Sequence, residues 1–367
     1  MRGINMKKFL KISSVTILVI GIVSVVALLL FGRNNHSNLS GSVSEKIDQY
    51  LTNEKFQGTV LIAKEGEVLF TQGYGMAAPG LPNSPSTLYQ IASLSKTFTA
   101  VAIMQLVEKD LLSLDNPISQ YFSDFPNGET ITISHLLSHS SGIPDYLTEN
   151  AEFDYSKEWK PNDIVNTISD SELKFTPGKS FSYSNTGYVM LGLIIEKVSG
   201  QSYADYIEQH IFEPSNMVNS MFTVPLGVPK AQGYVDGKVG PFIHNSAAYA
   251  AGDIISTVED LELFDRALRN HVLISKETSE LMSRTHAKKF PHQYGYGWYT
   301  QDVMGKQAVG HSGGYPSGFR HYVTRLNDEE LTVIVLSNEM TINSKRINRH
   351  LTSIVLQQPI WIWQEKF

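Results

Sequence analysis

Apolar and polar positions alternate with different periods in different parts of this chain. Val43, Ile47, Tyr50 and Leu51 fall at helical spacing behind a Ser42/Glu45 capping-box pattern, which predicts an amphipathic helix. Residues 59–63 and 68–72 are short β-type runs around Lys64-Glu65-Gly66-Glu67 and predict a hairpin. Gly and Pro crowd 73–85, a loop, before the stretch 94–111, which is apolar nearly all round, as a helix buried on every side must be. Helical spacing recurs over 132–137, 162–168, 184–198, 203–211 and 258–268. β-branched and aromatic runs return over 297–301, 307–310, 319–325 and 331–337, and 347–356 predicts a closing helix. Strands at both ends with helices between them predict an α+β fold: an antiparallel sheet flanked by the terminal helices, with a mainly helical lobe inserted. The sheet lobe would take 42–92 and 270–367, and the helical lobe 93–269.

One run stands outside this scheme. Residues 12–31 are apolar and uncharged over twenty positions, long enough to cross a bilayer. Arg2, Lys7, Lys8 and Lys11 precede the run and only Arg33 follows closely. Positive charge on that side predicts a cytoplasmic segment 1–11 and a retained single-pass transmembrane anchor 12–31. A flexible linker follows over 32–41, and the domain 42–367 lies outside the cell membrane.

Composition narrows the chemistry. The 367 residues are 42% hydrophobic and 18% charged, ordinary for a folded chain with a large core. The net charge of -6 offers nothing to a polyanion, which excludes nucleic acid as a partner. The chain has no cysteine, so thiol nucleophiles, thiolate metal sites, disulfides and lipid attachment through cysteine are all excluded.

The candidate chemistry centres on Ser93-Leu94-Ser95-Lys96. Ser93 sits where a loop enters the buried helix, over backbone N–H groups suited to an oxygen that gains charge during a reaction. Lys96 lies three positions on and shares its face, and burial lowers a lysine toward the range of a usable base. The pair reads as a nucleophile with a proton acceptor. Tyr183 and Asn185 lie two apart at a helix start, where both can face a cleft. Tyr183 as phenolate beside a lysine can take or return the serine proton, and Asn185 can bond a substrate amide; a core aromatic and a helix cap are the alternative readings. A third cluster, Gly310-His311-Ser312-Gly313-Gly314, suits an edge strand that pairs with an extended substrate, and His311 there can meet a carboxylate. The same cluster fits the G-x-S-x-G elbow, with Ser312 as nucleophile, but a strand pattern rather than a helix follows it. Tyr294, Tyr296, Trp298 and Arg320 are expected at the mouth of the cleft. His135 and His139 are four apart without the glutamate of a zinc motif, so helix packing accounts for them better than a metal.

Ser93-Leu94-Ser95-Lys96, Tyr183-Ser184-Asn185 and His311-Ser312-Gly313, in that order and at those intervals, resemble the three active-site motifs of the serine β-lactamase and penicillin-binding-protein superfamily. The stretch 133–145, the turn Phe175-Thr176-Pro177-Gly178 and the continuation 313–319 resemble its class C β-lactamase-like and D-alanyl-D-alanine carboxypeptidase branch. The resemblance covers roughly 42–356 and implies that branch's fold. It implies Ser93 as the acylated nucleophile, Lys96 as its proton partner, and Tyr183 as general base and later acid. Asn185, His311, Ser312 and Gly313 would bind substrate, and the backbone N–H groups of Ser93 and Gly314 would form the oxyanion hole. It implies no metal and no cofactor, a substrate with a D-alanyl group, and β-lactams as covalent ligands. Class C enzymes carry Lys-Thr-Gly in the third motif, whereas His311 resembles the carboxypeptidase, aminopeptidase and esterase members. The resemblance therefore points to a D-Ala-D-Ala carboxypeptidase-like enzyme; an esterase such as a teichoic-acid D-alanyl esterase, a class C-like β-lactamase and a slowly turning penicillin sensor are the alternatives.

Overall fold

The computed structural model describes residues 38–149 and 153–361, together with Gly21, Arg33, Asn34 and His36. The expected cytoplasmic segment and, Gly21 apart, the expected anchor lie outside the described residues. Among the described residues no helix is long and apolar enough to cross a membrane.

Helix α1 (Val43–Asn53) begins as its sequence dictates. Ser42 Oγ accepts the Glu45 N–H at 3.3 Å, and a Glu45 carboxylate oxygen accepts the Ser42 N–H at 2.6 Å. The hairpin follows as β1 (Gly58–Lys64) and β2 (Glu67–Tyr74). Helices α2 (Ser95–Glu108), α3 (Asn185–Ser199) and α4 (Val258–Arg269) form the centre of the helical part. The remaining strands of the main sheet are β3 (Ala287–Lys289), β4 (His292–Tyr294), β5 (Tyr299–Val303), β6 (Lys306–Gly314), β7 (Arg320–Leu326) and β8 (Leu331–Ser337). Helix α5 (Ser344–Leu356) comes last.

The sheet is antiparallel, in the order β3-β4-β5-β6-β7-β8-β1-β2. The hairpin that comes first in the sequence therefore pairs with the last strand of the sheet, and the architecture is the expected mix of helices and antiparallel sheet. Strand alternation sends Val60, Ile62, Val333 and Val335 to one face, against Ile47 and Leu51 of α1 and Ile347 and Leu351 of α5. Leu61, Ile334 and Leu336 go to the other face, against the core built on Phe98, Val101 and Met190. Each such side chain taken from water contributes about 1.5–3 kcal/mol before entropy is counted. Helix α2 is buried continuously from Ser95 to Leu106, the consequence of its all-round apolar pattern. Asp265 of α4 meets buried Arg325 of β7 and also accepts from Arg269 at 2.9 Å, which ties the helix to the sheet by paired charge.

Three details differ from the sequence reading. β3 and β4 are strands that polar, basic segments did not announce. The 203–211 helix ends at Ile207 and continues as a π-helical turn, Glu208–Phe212. β6 runs through its glycines to Gly314 and is an interior strand between β5 and β7. β5 begins at Tyr299, opposite Gly310, so past Gly310 only β7 remains as a partner. The expected substrate-binding edge is thus a local one, where a neighbour stops.

Candidate active site

Ser93 lies in a 3-10 turn (Ala92–Leu94) that feeds directly into α2. Ala92 before it takes a left-handed φ of 52°, a conformation that costs an alanine about 1–2 kcal/mol and is held only because its surroundings fix it. Ser93 is half-buried, whereas Lys96 in the first turn of α2 is 0% exposed. Lys96 Nζ lies 3.2 Å from Ser93 Oγ, 2.7 Å from Asn185 Oδ1 and 2.7 Å from the Ala251 carbonyl. The last two partners can only accept. A neutral lysine has two N–H bonds and one lone pair, so both donors are committed and the lone pair is left for the serine proton. Burial drives this state by lowering Lys96 to about 7, opposed by the charge of Asp145.

Asp145 is the group that sequence reasoning passed over. Its Oδ2 accepts Asn185 Nδ2–H at 2.8 Å, and its Oδ1 accepts the Leu147 N–H at 3.1 Å. Thr186 and Ser184 donate their hydroxyls to the Pro144 carbonyl, at 2.7 and 3.2 Å, so the start of α3 clamps the loop carrying the carboxylate. One Nδ2 proton of Asn185 is used here, leaving at most one for a substrate amide. Asp145 is the first charged residue after Glu129 in the sequence, a signal that could have singled it out.

Tyr183 stands on the other side of Ser93. Its phenol is close enough to Ser93 for the serine side chain to favour the phenolate, and Lys96 Nζ is 5.0 Å from its ring centre. The ring packs at 4.2 Å from the His139 ring and parallel to Tyr299 at 6.4 Å. His139 Nδ1 accepts the Ser184 N–H at 3.1 Å, which fixes that imidazole beneath the tyrosine. Burial, then Tyr299, pushes Tyr183 well above the ordinary phenol range. The resting side chain is therefore a neutral phenol rather than the phenolate the sequence reading invoked.

On β6, alternation buries His311 and Gly313 and exposes Ser312 and Gly314. A side chain at Gly313 would begin 2.3 Å from the Ile91 carbonyl, so only glycine lets the strand lie against the Ser93 turn. The Tyr315 N–H reaches the Phe319 carbonyl at 3.1 Å, toward β7. Alternation then aims the Gly314 N–H away from β7, at the side β5 leaves open.

His311 sits otherwise than expected. It is 0% exposed; its Nδ1 donates to the Ser312 carbonyl at 2.7 Å, and its Nε2 therefore accepts the Tyr294 hydroxyl at 2.9 Å. Burial, then Lys96, lowers it to about 3, so it is neutral and presents no cation to a carboxylate. Tyr294, Tyr296 and Trp298 are likewise buried and not at a cleft mouth, whereas Arg320 lines a cavity. Ser312 lies in a continuing strand, so the elbow reading has no structural basis.

Fold and comparisons together define a serine hydrolase. The Beta-lactamase family model matches residues 43–356. Penicillin-binding protein 4* of Bacillus subtilis (strain 168) is 34% identical over 311 residues, which cover 78% of this chain and 68% of that protein. Among solved structures, the octameric penicillin-binding protein homologue from Pyrococcus abyssi superposes with a TM-score of 0.77 at 31% identity, over 85% of this chain and 77% of that one. The D-amino acid amidase from Ochrobactrum anthropi SV3, complexed with L-phenylalanine, gives 0.74 at 25% identity, over 85% and 95%. The chain belongs to the beta-lactamase family, within the serine β-lactamase and penicillin-binding-protein superfamily.

Proposed function

We propose that this serine hydrolase acts through an acyl-enzyme on D-alanyl groups of the cell envelope. The observation that carries the reading is the commitment of both Lys96 donors to Asn185 and Ala251, which leaves its lone pair for Ser93. Ser93 Oγ attacks the D-alanyl carbonyl carbon and its proton passes to Lys96 Nζ. The developing oxyanion lies between the N–H groups of Ser93 and Gly314, where loss of one such donor costs about 3–4 kcal/mol. Tyr183 hands its phenolic proton to the departing nitrogen or oxygen as the old acyl bond breaks, and recovers one from Lys96. Water then attacks the ester, Lys96 takes its proton and returns it to Ser93 Oγ as the bond between the serine oxygen and the acyl carbon breaks, and the acid leaves.

The penicillin-binding name of one relative and the D-amino acid amidase name of another support a D-configured acyl group. The buried neutral His311, in place of a lysine, supports a carboxypeptidase-like enzyme over an efficient β-lactamase. The apolar run 12–31 supports a membrane anchor, with 32–41 as tether and the catalytic domain outside. The test is D-alanine release from a peptide ending in D-alanyl-D-alanine and from a D-alanyl ester, with Ser93→Ala as control. Serine-dependent release from either supports the reading; no release from either, or release that persists in the variant, ends it.

A further inference from the structure

A cavity of about 730 Å³ lies beside the exposed end of β6 and shares Ser312 and Gly314 with the candidate active site. Its other walls include β4, β5, β7, the segment 340–343 and the start of α5. Three cations line it, Arg320, Lys345 and Arg349, and Asp302 is the only carboxylate among the described residues that do. Asp302 is exposed and its Oδ1 already accepts the Gly305 N–H at 2.8 Å.

Arg349 is only 8% exposed, and its Nη1 has no hydrogen-bond partner. A buried guanidinium nitrogen left unbonded costs free energy that an incoming acceptor recovers. Arg320 uses Nη1 on the neighbouring Phe319 carbonyl at 3.1 Å and lies across the sheet from Gly314, close enough that a side chain there would begin 2.8 Å from it. The N-terminus of the 13-residue α5, with Asn343 and Ser344 on the cavity wall, adds its positive dipole end. Burial lowers all three cations, and Lys345 is lowered further by Arg349, the sign of like charges crowded into one concave space.

We infer that this cavity is an anion-binding site for a phosphate or phosphodiester carried by the portion of the substrate that leaves Ser93. Two guanidinium forks beside a helix N-terminus match phosphate oxygens in geometry. The shared residues Ser312 and Gly314 place the site next to the proposed oxyanion donor, on the side away from α2. The inference rests on the acyl-enzyme reading for its orientation, but not for the existence of the site.

Two measurements on the full chain test it. Calorimetric titration with inorganic phosphate at fixed ionic strength should give saturable binding, stronger than acetate and weakened about tenfold or more in Arg349→Gln and in Arg320→Gln. Arg320 is half-buried, so its variant keeps the test open should Arg349→Gln fail to fold. No phosphate binding, binding untouched in both folded variants, or acetate bound better than phosphate would overturn the inference.

The second measurement compares D-alanyl esters of 2-hydroxyethyl phosphate, of glycolic acid and of ethylene glycol. The phosphate ester should exceed the neutral ester in kcat/KM by about tenfold or more, with the ratio falling toward one in the variants. Equal kcat/KM for all three overturns the placement on the leaving-group side. Phosphate binding with no ester turned over supports the site and removes the D-alanyl reading instead, so the two can fail separately.

Discussion

Asp145 Oδ2 accepts the Asn185 amide at 2.8 Å, and this bond decides which end of that amide faces Lys96. Asn185 Oδ1 is thereby held as an acceptor, which keeps one lysine donor occupied. The groups facing Lys96 are Asp145, Tyr183, Tyr188, His139 and His311, and Asp145 is the one whose charge raises the amine. In Asp145→Asn that charge is gone and the amide can turn over. Acylation at neutral pH should fall about tenfold to a hundredfold, and the acid limb of its pH profile should move to lower pH. Labelling of Ser93 by a neutral fluorophosphonate, followed across pH, reads both effects. A slower reaction with an unmoved limb would reduce Asp145 to a structural residue.

The pH profile of the parent enzyme is a second check. Lys96 must be neutral to accept the Ser93 proton, so acylation should be full above its value of about 7 and fall tenfold per pH unit well below it. His139 and His311 are both lowered and stay neutral through that range, so one limb with a one-proton slope is expected. Stopped-flow acylation between pH 5 and pH 9, referred to the ordinary lysine value of about 10.4, separates this from a limb near 10.

Tyr183→Phe keeps the packing against His139 and Tyr299 but removes the phenolic proton. The expected loss is about 10²–10⁴ in kcat with a smaller change in KM, because proton transfer belongs to the transition state. Steady-state kinetics on a D-alanyl ester and a D-alanyl amide should show the larger loss on the amide, whose nitrogen cannot leave unprotonated.

Asp265 supplies a test of the fold alone. It is buried with Arg325, and removing it strands a guanidinium that is 3% exposed. Asp265→Ala should cost about 3–5 kcal/mol, read as a lower midpoint in urea. The carboxylate is held below its usual value, so its contribution is present above about pH 4 and is lost as pH falls through the folded-state value.

Much of this architecture is legible in the sequence where one period dominates. The Ser42/Glu45 box, the 59–72 hairpin and the all-apolar helix behind Ser93 each had a local signal, and each formed. Ala287–Lys289 and His292–Tyr294 did not, because they are recruited by pairing with each other and, through Tyr294, with β5, and carry no apolar alternation of their own. The convergence of Ser93, Lys96 and Tyr183 was legible as motif spacing. What each does was less so, since a phenol's protonation and a histidine's exposure depend on neighbours distant in the chain. His311 was expected to meet a carboxylate from an edge strand because the glycines hid which way alternation turns it past Gly310. Asp145 escaped notice because its function arises only when Thr186 and Ser184 clamp the Pro144 carbonyl.

The most direct measurement is intact-protein mass spectrometry after exposure to a fluorophosphonate and, separately, to a penicillin, with peptide mapping of the adduct. One adduct per chain on the peptide holding Ser93, absent from Ser93→Ala and slowed at least a thousandfold in Lys96→Met, is the predicted result. An adduct on Ser312, or one that forms on Ser93 at an undiminished rate without Lys96, would contradict the account.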